Sequence, residues 1–175
     1  YDGRLQSGVP AAARPQPSGI HWPSATTNVA FVPTRHEEEG GGSGSRRNPG
    51  EATAVVATVQ HVLHAGELRG RQVGVVTPYA AQVALIRQML AGCGAPAAGQ
   101  VEVQSVDGFQ GREKELLIFS AVRSAPRGHH GGAADARRAL GFVADARRLN
   151  VLLTRARRGL LVLGDPRALV HSSHW

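Results

Sequence analysis

Short apolar runs alternate with segments of helical periodicity along most of this chain. Apolar residues spaced three and four positions apart predict helices, and short runs that are apolar on both faces predict buried strands. The predicted strands are 29–32, 72–76, 101–103, 116–122 and 159–164. The predicted helices are 51–64, 80–90 and 145–156, with a closing helix that begins over 166–170. This alternation predicts an α/β fold with a mainly parallel sheet between two layers of helices.

Three irregular stretches interrupt the pattern. Residues 1–28 are predicted to be an irregular lead-in, because four prolines within them block regular elements. Residues 29–175 are then predicted to form one domain. Within it, the Gly-rich polar stretches 37–50 and 124–138 are predicted to be flexible loops.

Composition limits the class of protein. A chain of 175 residues with 42% hydrophobic residues is long enough for one domain with its own core. It contains no apolar run of about 18 residues, so we expect neither a membrane span nor a membrane partner. The start YDGRLQSGV has neither an initiating Met nor an apolar signal segment. We therefore expect a piece of a longer polypeptide.

The single cysteine, Cys93, leaves no pair for an internal disulfide and no cysteine zinc site. This composition favours the cytoplasm, with the nucleus as the alternative. The formal net charge is +7, and Lys114 is the only lysine among the basic residues. A basic balance favours a polyanionic partner. The alternative is a composition rich in Ala, Gly and Arg that a GC-rich coding sequence would produce without selection for binding.

Polar clusters follow several of the predicted strands. Thr77, Pro78 and Tyr79 follow one strand, Ser105 to Glu113 follow another, and Asp165 follows the last. Ligands of parallel sheets bind where strands reach their carboxyl ends. These clusters are therefore candidates for ligand binding.

The cluster SVDGFQGRE carries several distinct chemical groups. Gly111 permits a close approach of the backbone to a ligand, and Glu113 can accept a hydrogen bond from a sugar hydroxyl. Ser105 and Asp107 can cap a turn or bind a nucleic-acid backbone. An ordinary capped turn between two elements is the alternative.

The stretch RLNVLLTRARRG carries four arginines. Arg148 and Arg155 are seven positions apart, which predicts that both lie on one side of a helix. A planar guanidinium held by a rigid helix suits the γ-phosphate in a phosphoryl-transfer transition state. The alternative is a solvated basic helix face.

Two nucleotide-binding motifs are absent from the sequence. A P-loop requires Gly-x-x-x-x-Gly-Lys-Ser/Thr, whereas Lys114 is followed by Glu115, and no strand leads into a Gly-x-Gly-x-x-Gly helix. Without a P-loop, Asp165 is interpreted as a turn or helix-cap residue and not as a metal ligand. Four histidines in Gly-rich or Ser-rich stretches are interpreted as solvated, so no metal site is predicted: His129, His130, His171 and His174.

Three long stretches, in order, resemble motifs of superfamily-1 RNA and DNA helicases. They are VGVVTPYAAQ, VEVQSVDGFQGREKELLIFSAVRS and GFVADARRLNVLLTRARRGLLVLGDPRAL. The resemblance is greatest to the Upf-like branch and, within it, to helicases of nonsense-mediated mRNA decay. It implies a RecA-like three-layer domain, the second of a helicase motor. The first RecA-like domain, with the P-loop and the magnesium-binding carboxylates, would lie N-terminal in the same polypeptide.

The resemblance also implies roles for particular residues. Arg155 matches the arginine finger that reaches the γ-phosphate across the cleft between the two domains. Three residues match family positions near the nucleotide: Gln110, Gly111 and Glu113. Six residues match positions that contact the backbone of single-stranded nucleic acid: Thr77, Pro78, Tyr79, Ser105, Val106 and Asp107. Gln82 matches a family glutamine whose role we leave open. The family's second phosphate-sensing arginine would lie just before Tyr1.

The function implied is 5′-to-3′ translocation on single-stranded RNA in nonsense-mediated mRNA decay. ATP and Mg²⁺ would be bound mainly by the first domain, and mRNA-decay factors are further expected partners. The alternatives are a DNA helicase of the same branch and a non-catalytic RecA-like module that binds RNA or a protein partner. We expect the 175 residues alone not to hydrolyse ATP.

Overall fold

A five-stranded parallel sheet forms the centre of the domain. The structure is a computed structural model that describes residues 8–125 and 145–171. Its strands are β1 (Val29–Pro33), β4 (Val73–Thr77), β5 (Glu102–Ser105), β6 (Lys114–Ser120) and β7 (Ala156–Gly164). Their order across the sheet is β1-β7-β6-β4-β5. A separate antiparallel hairpin pairs β2 (Glu39–Gly40) with β3 (Arg46–Arg47).

Helices cover both faces of the sheet. Residues of α1 (Pro49–His64) and α2 (Ala80–Gly92) join one hydrophobic cluster. Residues of α3 (Ala146–Leu153) and α4 (Pro166–Leu169) join the second cluster on the opposite face. The central strand β6 contributes to both clusters, and its residues Leu116–Phe119 are at most 1% exposed. The predicted α/β fold with a parallel sheet between two helical layers is confirmed.

The start of α1 and the preceding hairpin differ from the prediction of a flexible loop over 37–50. The helix begins at Pro49 because the Asn48 side chain accepts a hydrogen bond from the Glu51 amide, which caps the helix. Upstream, the glycines serve a tight hairpin turn, with positive φ at Gly42 and Gly44. The Gly41 amide closes this turn by donating to the Ser45 carbonyl at 2.9 Å. The expectation of a loop is therefore wrong for the hairpin.

Several expectations fall partly or wholly beyond the described ranges. Of the predicted loop 124–138, only residues 124 and 125 are described, and His129, His130 and His174 lie outside those ranges. In the part that is described, no group of three or more His, Cys, Asp or Glu side chains could hold a metal ion. None of the described helices has the length and hydropathy needed to cross a membrane.

The lead-in is fixed to the end of the sheet at which the parallel strands begin, which we call the amino end. Over residues 8–28 it is irregular, apart from a 3₁₀ turn at Ala11–Ala13 and an isolated antiparallel bridge between Ser24 and Thr27. The Trp22 ring packs where a side chain on Gly159 would lie, only 2.7 Å from the position of a Cβ. The Asn28 side-chain amide donates to the carbonyls of Arg14 and Arg158. The lead-in therefore packs on the first residues of β7.

The ion pair between Glu67 and Arg158 makes the attachment of the lead-in sensitive to pH. Hydrogen bonds from Ser18 and then from Arg158 lower the pKa of Glu67 from 4.5 to about 2. The lowered pKa means that this carboxylate stabilises the fold above pH 4.5 and that the contribution is lost as pH falls toward 2. We expect the free energy of unfolding to fall by about 1 kcal/mol over this range. This is less than the full pKa shift would give, because the ion pair is partly solvated. Urea unfolding of wild type and Glu67→Gln between pH 6 and 2 measures this loss. If the stability of the two proteins showed the same dependence on pH, the role of Glu67 would be contradicted.

Candidate functional site

The predicted site residues divide between the two ends of the parallel strands. Thr77 and Ser105 are the last residues of β4 and β5, so Thr77–Tyr79 and Ser105–Asp107 lie at the carboxyl end of the sheet, opposite the amino end. Gln110–Glu113 and Arg155 precede β6 and β7, so they lie at the amino end. The expectation that the whole stretch Ser105 to Glu113 lies at the carboxyl end of a strand is therefore wrong for its second half. The reason is topological: β5 and β6 are parallel, so the segment that joins them must cross the sheet.

This crossing segment, residues 106–113, contains no α-helix and lies directly against the sheet. A 3₁₀ turn at Asp107–Phe109 starts it, and the Ser105 hydroxyl accepts a hydrogen bond from the Gly108 amide at 3.1 Å. Ser105 thus caps the turn, one of the two roles predicted for it. Phe109 is buried over β4, where Gly74 lacks the Cβ that would lie 3.0 Å from the Phe109 ring. One segment therefore links the carboxyl end to the amino end over a short path.

At the amino end, the segment presents an open polar turn. Gly111 has a φ of +77°, a left-handed conformation that favours glycine, and no atom lies within 4 Å of where its Cβ would be. Gln110 and Glu113 are exposed beside it. The Glu113 carboxylate makes no hydrogen bond or ion pair with the described residues. The turn leaves backbone and carboxylate groups accessible to a ligand.

Arg155 lies just beyond α3 and not within it. The predicted helix 145–156 ends at Leu153, because the backbone from Ala156 onward joins β6 and the Arg155 carbonyl accepts from the Lys114 amide at 3.2 Å. The expectation that Arg148 and Arg155 share one helix face is therefore wrong. The Arg155 guanidinium folds back on the end of α3, donating to the Val151 carbonyl at 3.1 Å and to the Thr154 hydroxyl at 2.9 Å.

Four other cations at the amino end are paired with carboxylates. Arg112 and Lys114 both pair with Glu102. Arg157 pairs with Glu115, and Arg158 with Glu67. Burial raises the pKa of Glu102, but the hydrogen bond and charge of Lys114, together with Arg112, outweigh burial and hold that pKa below its usual range. Arg155 differs from these cations because its described partners are neutral oxygens.

At the carboxyl end, the predicted contact residues differ in accessibility. Thr77 is fully buried and Val106 is 3% exposed, whereas Asp107 is exposed and Tyr79 is half-buried. The Tyr79 hydroxyl accepts a hydrogen bond from Arg123 at 3.2 Å. A nucleic-acid strand bound at this end would therefore contact the accessible Tyr79 and Asp107 before the buried Thr77.

Arg123 is a residue of this end that the sequence analysis missed. Its guanidinium lies 2.6 Å from the Glu38 carboxylate, which also pairs with Arg46 of the hairpin at 3.4 Å. The signal in the sequence was a charged residue directly after the apolar run of β6. Arg123, Glu38 and Arg46 join the hairpin to the surface beside Tyr79.

A buried polar network lies beneath the carboxyl end. The Glu51 carboxylate is inaccessible to solvent and accepts hydrogen bonds from Ser120 at 2.6 Å, Val122 at 2.8 Å and Thr34 at 2.9 Å. Burial raises the pKa of Glu51, and these hydrogen bonds only partly oppose it. Val122 has a φ of +71°, which is strained for a β-branched residue, and its contact with Glu51 holds it there.

Gln82, whose role was left open, belongs to this network. Its side-chain oxygen accepts from the Asn48 amide at 2.8 Å, and its nitrogen donates to the Ser120 hydroxyl at 3.0 Å. Gln82 therefore joins α2 to the start of α1 and to the end of β6. Asp165 also has its predicted role, since it caps α4 by accepting from the Arg167 amide.

Helix α3 connects the two ends of the sheet on one face. Near its start, Arg148 lies 3.3 Å from the Asp107 carboxylate at the carboxyl end. After eight residues, or about 12 Å, it ends beside Arg155 at the amino end. The crossing segment and α3 thus both link the two groups of candidate residues.

The five-stranded parallel sheet with helices on both faces is a RecA-like α/β arrangement, in agreement with the family that the chain matches. The AAA domain family matches residues 1–167, and the chain belongs to that family. The resemblance to Upf-like helicases is confirmed by similarity over the whole chain. The regulator of nonsense transcripts 1 homolog of Drosophila melanogaster is 37% identical over 179 residues, covering 100% of this chain and 14% of that protein.

Two other relatives carry different names. The ATP-dependent helicase NAM7 of Saccharomyces cerevisiae is 38% identical over 180 residues, covering 100% of this chain and 17% of that protein. The DNA polymerase alpha-associated DNA helicase A of Schizosaccharomyces pombe is 44% identical over 131 residues, covering 75% of this chain and 18% of that protein. The chain therefore spans less than one fifth of the length of each of these three relatives.

Proposed function

We propose that this chain is the second motor domain of an ATP-dependent RNA helicase that acts in nonsense-mediated mRNA decay. The observation that carries the proposal is the state of Arg155. It is a guanidinium at the amino end that is bound to neutral oxygens, while Arg112, Lys114 and Arg157 are paired with carboxylates. Only Arg155 among these can turn to a phosphate without breaking an ion pair with the described residues. A relative named an ATP-dependent helicase supports the activity.

The residues at the amino end fit an anionic nucleotide. Gly111 leaves open space at its backbone, and the exposed Glu113 can accept from ribose hydroxyls. Arg155 would contact the γ-phosphate, where a guanidinium stabilises the charge that develops during transfer. ATP with Mg²⁺ would supply the γ-phosphoryl group, which is transferred to water with ADP as the leaving group. Through the resemblance, the first RecA-like domain would hold the Mg²⁺.

The residues at the carboxyl end fit a single-stranded backbone. Tyr79 offers a ring on which a base can stack, while Ser105 and the backbone of the turn can bind phosphate or sugar oxygens. Arg123 and Arg46 share the single carboxylate of Glu38 beside Tyr79, so this cluster keeps an excess positive charge. Such contacts are made to the backbone, so we expect binding of any sequence and a strong dependence on salt.

Movement along the strand would follow from closure of the two RecA-like domains on ATP and their release after hydrolysis. Within this chain, the crossing segment and α3 would transmit the change between the two ends. The 5′-to-3′ direction and the mRNA-decay partners are part of the proposal through the resemblance. The second candidate is a DNA helicase of the same branch, which the 44% identity to a DNA helicase favours.

Nucleic-acid-stimulated ATP hydrolysis tests the proposal. We expect poly(U) to raise the steady-state ATPase rate of the full-length protein at least tenfold, and expect no turnover by the 175-residue chain, which has no P-loop.

The contact with nucleic acid at the carboxyl end is tested by Tyr79→Ala in the full-length protein. We expect this substitution to weaken poly(U) binding by about tenfold, since base stacking contributes about 1–3 kcal/mol.

Three outcomes separate the alternatives. Greater stimulation by oligo(dT) than by poly(U) would favour the DNA helicase. Salt-dependent RNA binding, together with an ATPase rate that RNA does not change, would favour the non-catalytic module. ATP turnover by the purified 175 residues would contradict the assignment of this chain to half of a motor.

A further inference from the structure

Glu113 lies between two residues whose side chains share one anchor. Arg112 precedes it and Lys114 follows it, and both pair with the carboxylate of Glu102. Glu102 begins β5, two strands away from β6. The side chains on both sides of Glu113 are therefore tied to the same fixed point, while its own carboxylate is exposed.

The contact from Lys114 is the better defined of the two. Its ammonium lies 3.0 Å from Glu102 and also donates to the Arg71 carbonyl at 2.9 Å. The Lys114 and Glu102 side chains are only 15% and 19% exposed, so water and salt weaken this pair less than a fully exposed one. Lys114 is also the only lysine of the chain.

This contact is possible because Gly74 lies beneath it. Strand β4 separates β6 from β5, and Gly74 is paired in register with Glu102. A Cβ on Gly74 would lie 2.8 Å from the Lys114 side chain. Lys114 thus crosses β4 at the one residue there without a side chain.

We propose that Glu102 is a positioning residue for Glu113, holding Arg112 and Lys114 so that the Glu113 carboxylate is presented to the ribose hydroxyls of the nucleotide. The inference rests on the proposed function, because it takes a nucleotide as the ligand of the amino end. A turn whose flanking residues are held before binding loses less conformational freedom when the ligand arrives. Glu102 would therefore affect nucleotide affinity and ribose selectivity more than the rate of hydrolysis.

The test compares ATP with 2′-deoxy-ATP in the full-length protein with saturating poly(U). We expect wild type to prefer ATP in kcat/KM and Glu113→Ala to lose most of that preference. Glu102→Gln should reduce the preference threefold to tenfold through KM, with kcat within twofold of wild type. The control is Glu115→Gln, which removes a carboxylate of β6 that pairs with Arg157 instead, and it should keep the wild-type preference.

A second variant tests the same contact without the risk that the protein misfolds. Arg112 is 54% exposed, so Arg112→Gln should leave the fold intact and give a smaller loss of preference than Glu102→Gln. An unchanged preference in both Glu102→Gln and Arg112→Gln, with the preference lost in Glu113→Ala, would overturn the positioning role alone. An unchanged preference in Glu113→Ala would overturn both the ribose contact and the positioning role, while the dependence of hydrolysis on Arg155 would still test the proposed function.

Discussion

Replacing Arg155 with alanine in the full-length protein should lower RNA-stimulated ATP hydrolysis about a thousandfold while ATP binding is mostly kept. Arginine fingers contribute roughly 10³–10⁵ in rate, because they stabilise charge that develops only in the transition state. Ground-state affinity depends mainly on other contacts and should change little. Single-turnover and steady-state ATPase assays with saturating poly(U), together with titration of a fluorescent ATP analogue, measure the two effects separately.

Two matched variants make the result specific to Arg155. Arg157 lies two positions away, is 62% exposed and pairs with Glu115 at 3.5 Å, so Arg157→Ala should stay within about twofold of wild type. Arg155→Lys should recover only a small part of the rate, because an ammonium cannot present the planar fork of donors. An unchanged rate in Arg155→Ala would make this residue a surface charge and would move the binding-module alternative to first place.

Replacing Glu51 with alanine should cost about 3–5 kcal/mol of stability, a large share of the total for a small domain. The substitution leaves the hydroxyls of Ser120 and Thr34 and the amide of Val122 without their buried acceptor. The strained backbone of Val122 would also lose its support. Urea unfolding of the 175-residue chain measures the change, with Glu113→Ala as an exposed control expected within about 0.5 kcal/mol of wild type.

Glutamine at position 51 separates the role of the hydrogen bonds from that of the charge. Its oxygen can accept from Ser120 and Val122 while its amide donates to the Thr34 hydroxyl, so Glu51→Gln imitates the protonated acid. Burial raises the pKa of Glu51 above 4.5, so the folded state binds this proton more tightly than the unfolded chain does. The stability of wild type relative to Glu51→Gln should therefore fall as pH rises from 4.5, opposite in sign to the effect of Glu67. A flat difference between the two proteins, or a loss below 1 kcal/mol in Glu51→Ala, would contradict this account.

The parallel sheet was predictable because the signals that define it are local. The runs that became β4 and β6 are apolar on both faces, and α2 carries a clear three-four pattern. Element ends were less predictable, since they depend on partners distant in sequence. Arg155 leaves the helical path because its carbonyl joins the ladder of β6, which no feature of RLNVLLTRARRG indicates.

The candidate residues at the two ends of the sheet were identified from sequence patterns, but their arrangement was not. Nothing in SVDGFQGRE shows that Ser105 and Glu113 lie at opposite ends of the sheet, because that follows from the parallel pairing of β4 with both β5 and β6. The anchoring role of Glu102 and the network around Glu51 depend on contacts across strands and helices. Such contacts join residues as far apart as Glu51 and Val122, which a single sequence does not reveal.

The strand order also bears on how the chain folds as it is synthesised. Strands β4, β5 and β6 with their two helices are close in sequence and can assemble early, whereas β1 pairs only with β7. Asn28 and Arg158, which meet where these two strands begin, are 130 positions apart. Contacts this distant in sequence form slowly and late, so β1 and the lead-in must wait on the ribosome until β7 has emerged. A nascent chain that stalls before β7 would expose the edge of β6, a surface that chaperones bind and that promotes aggregation.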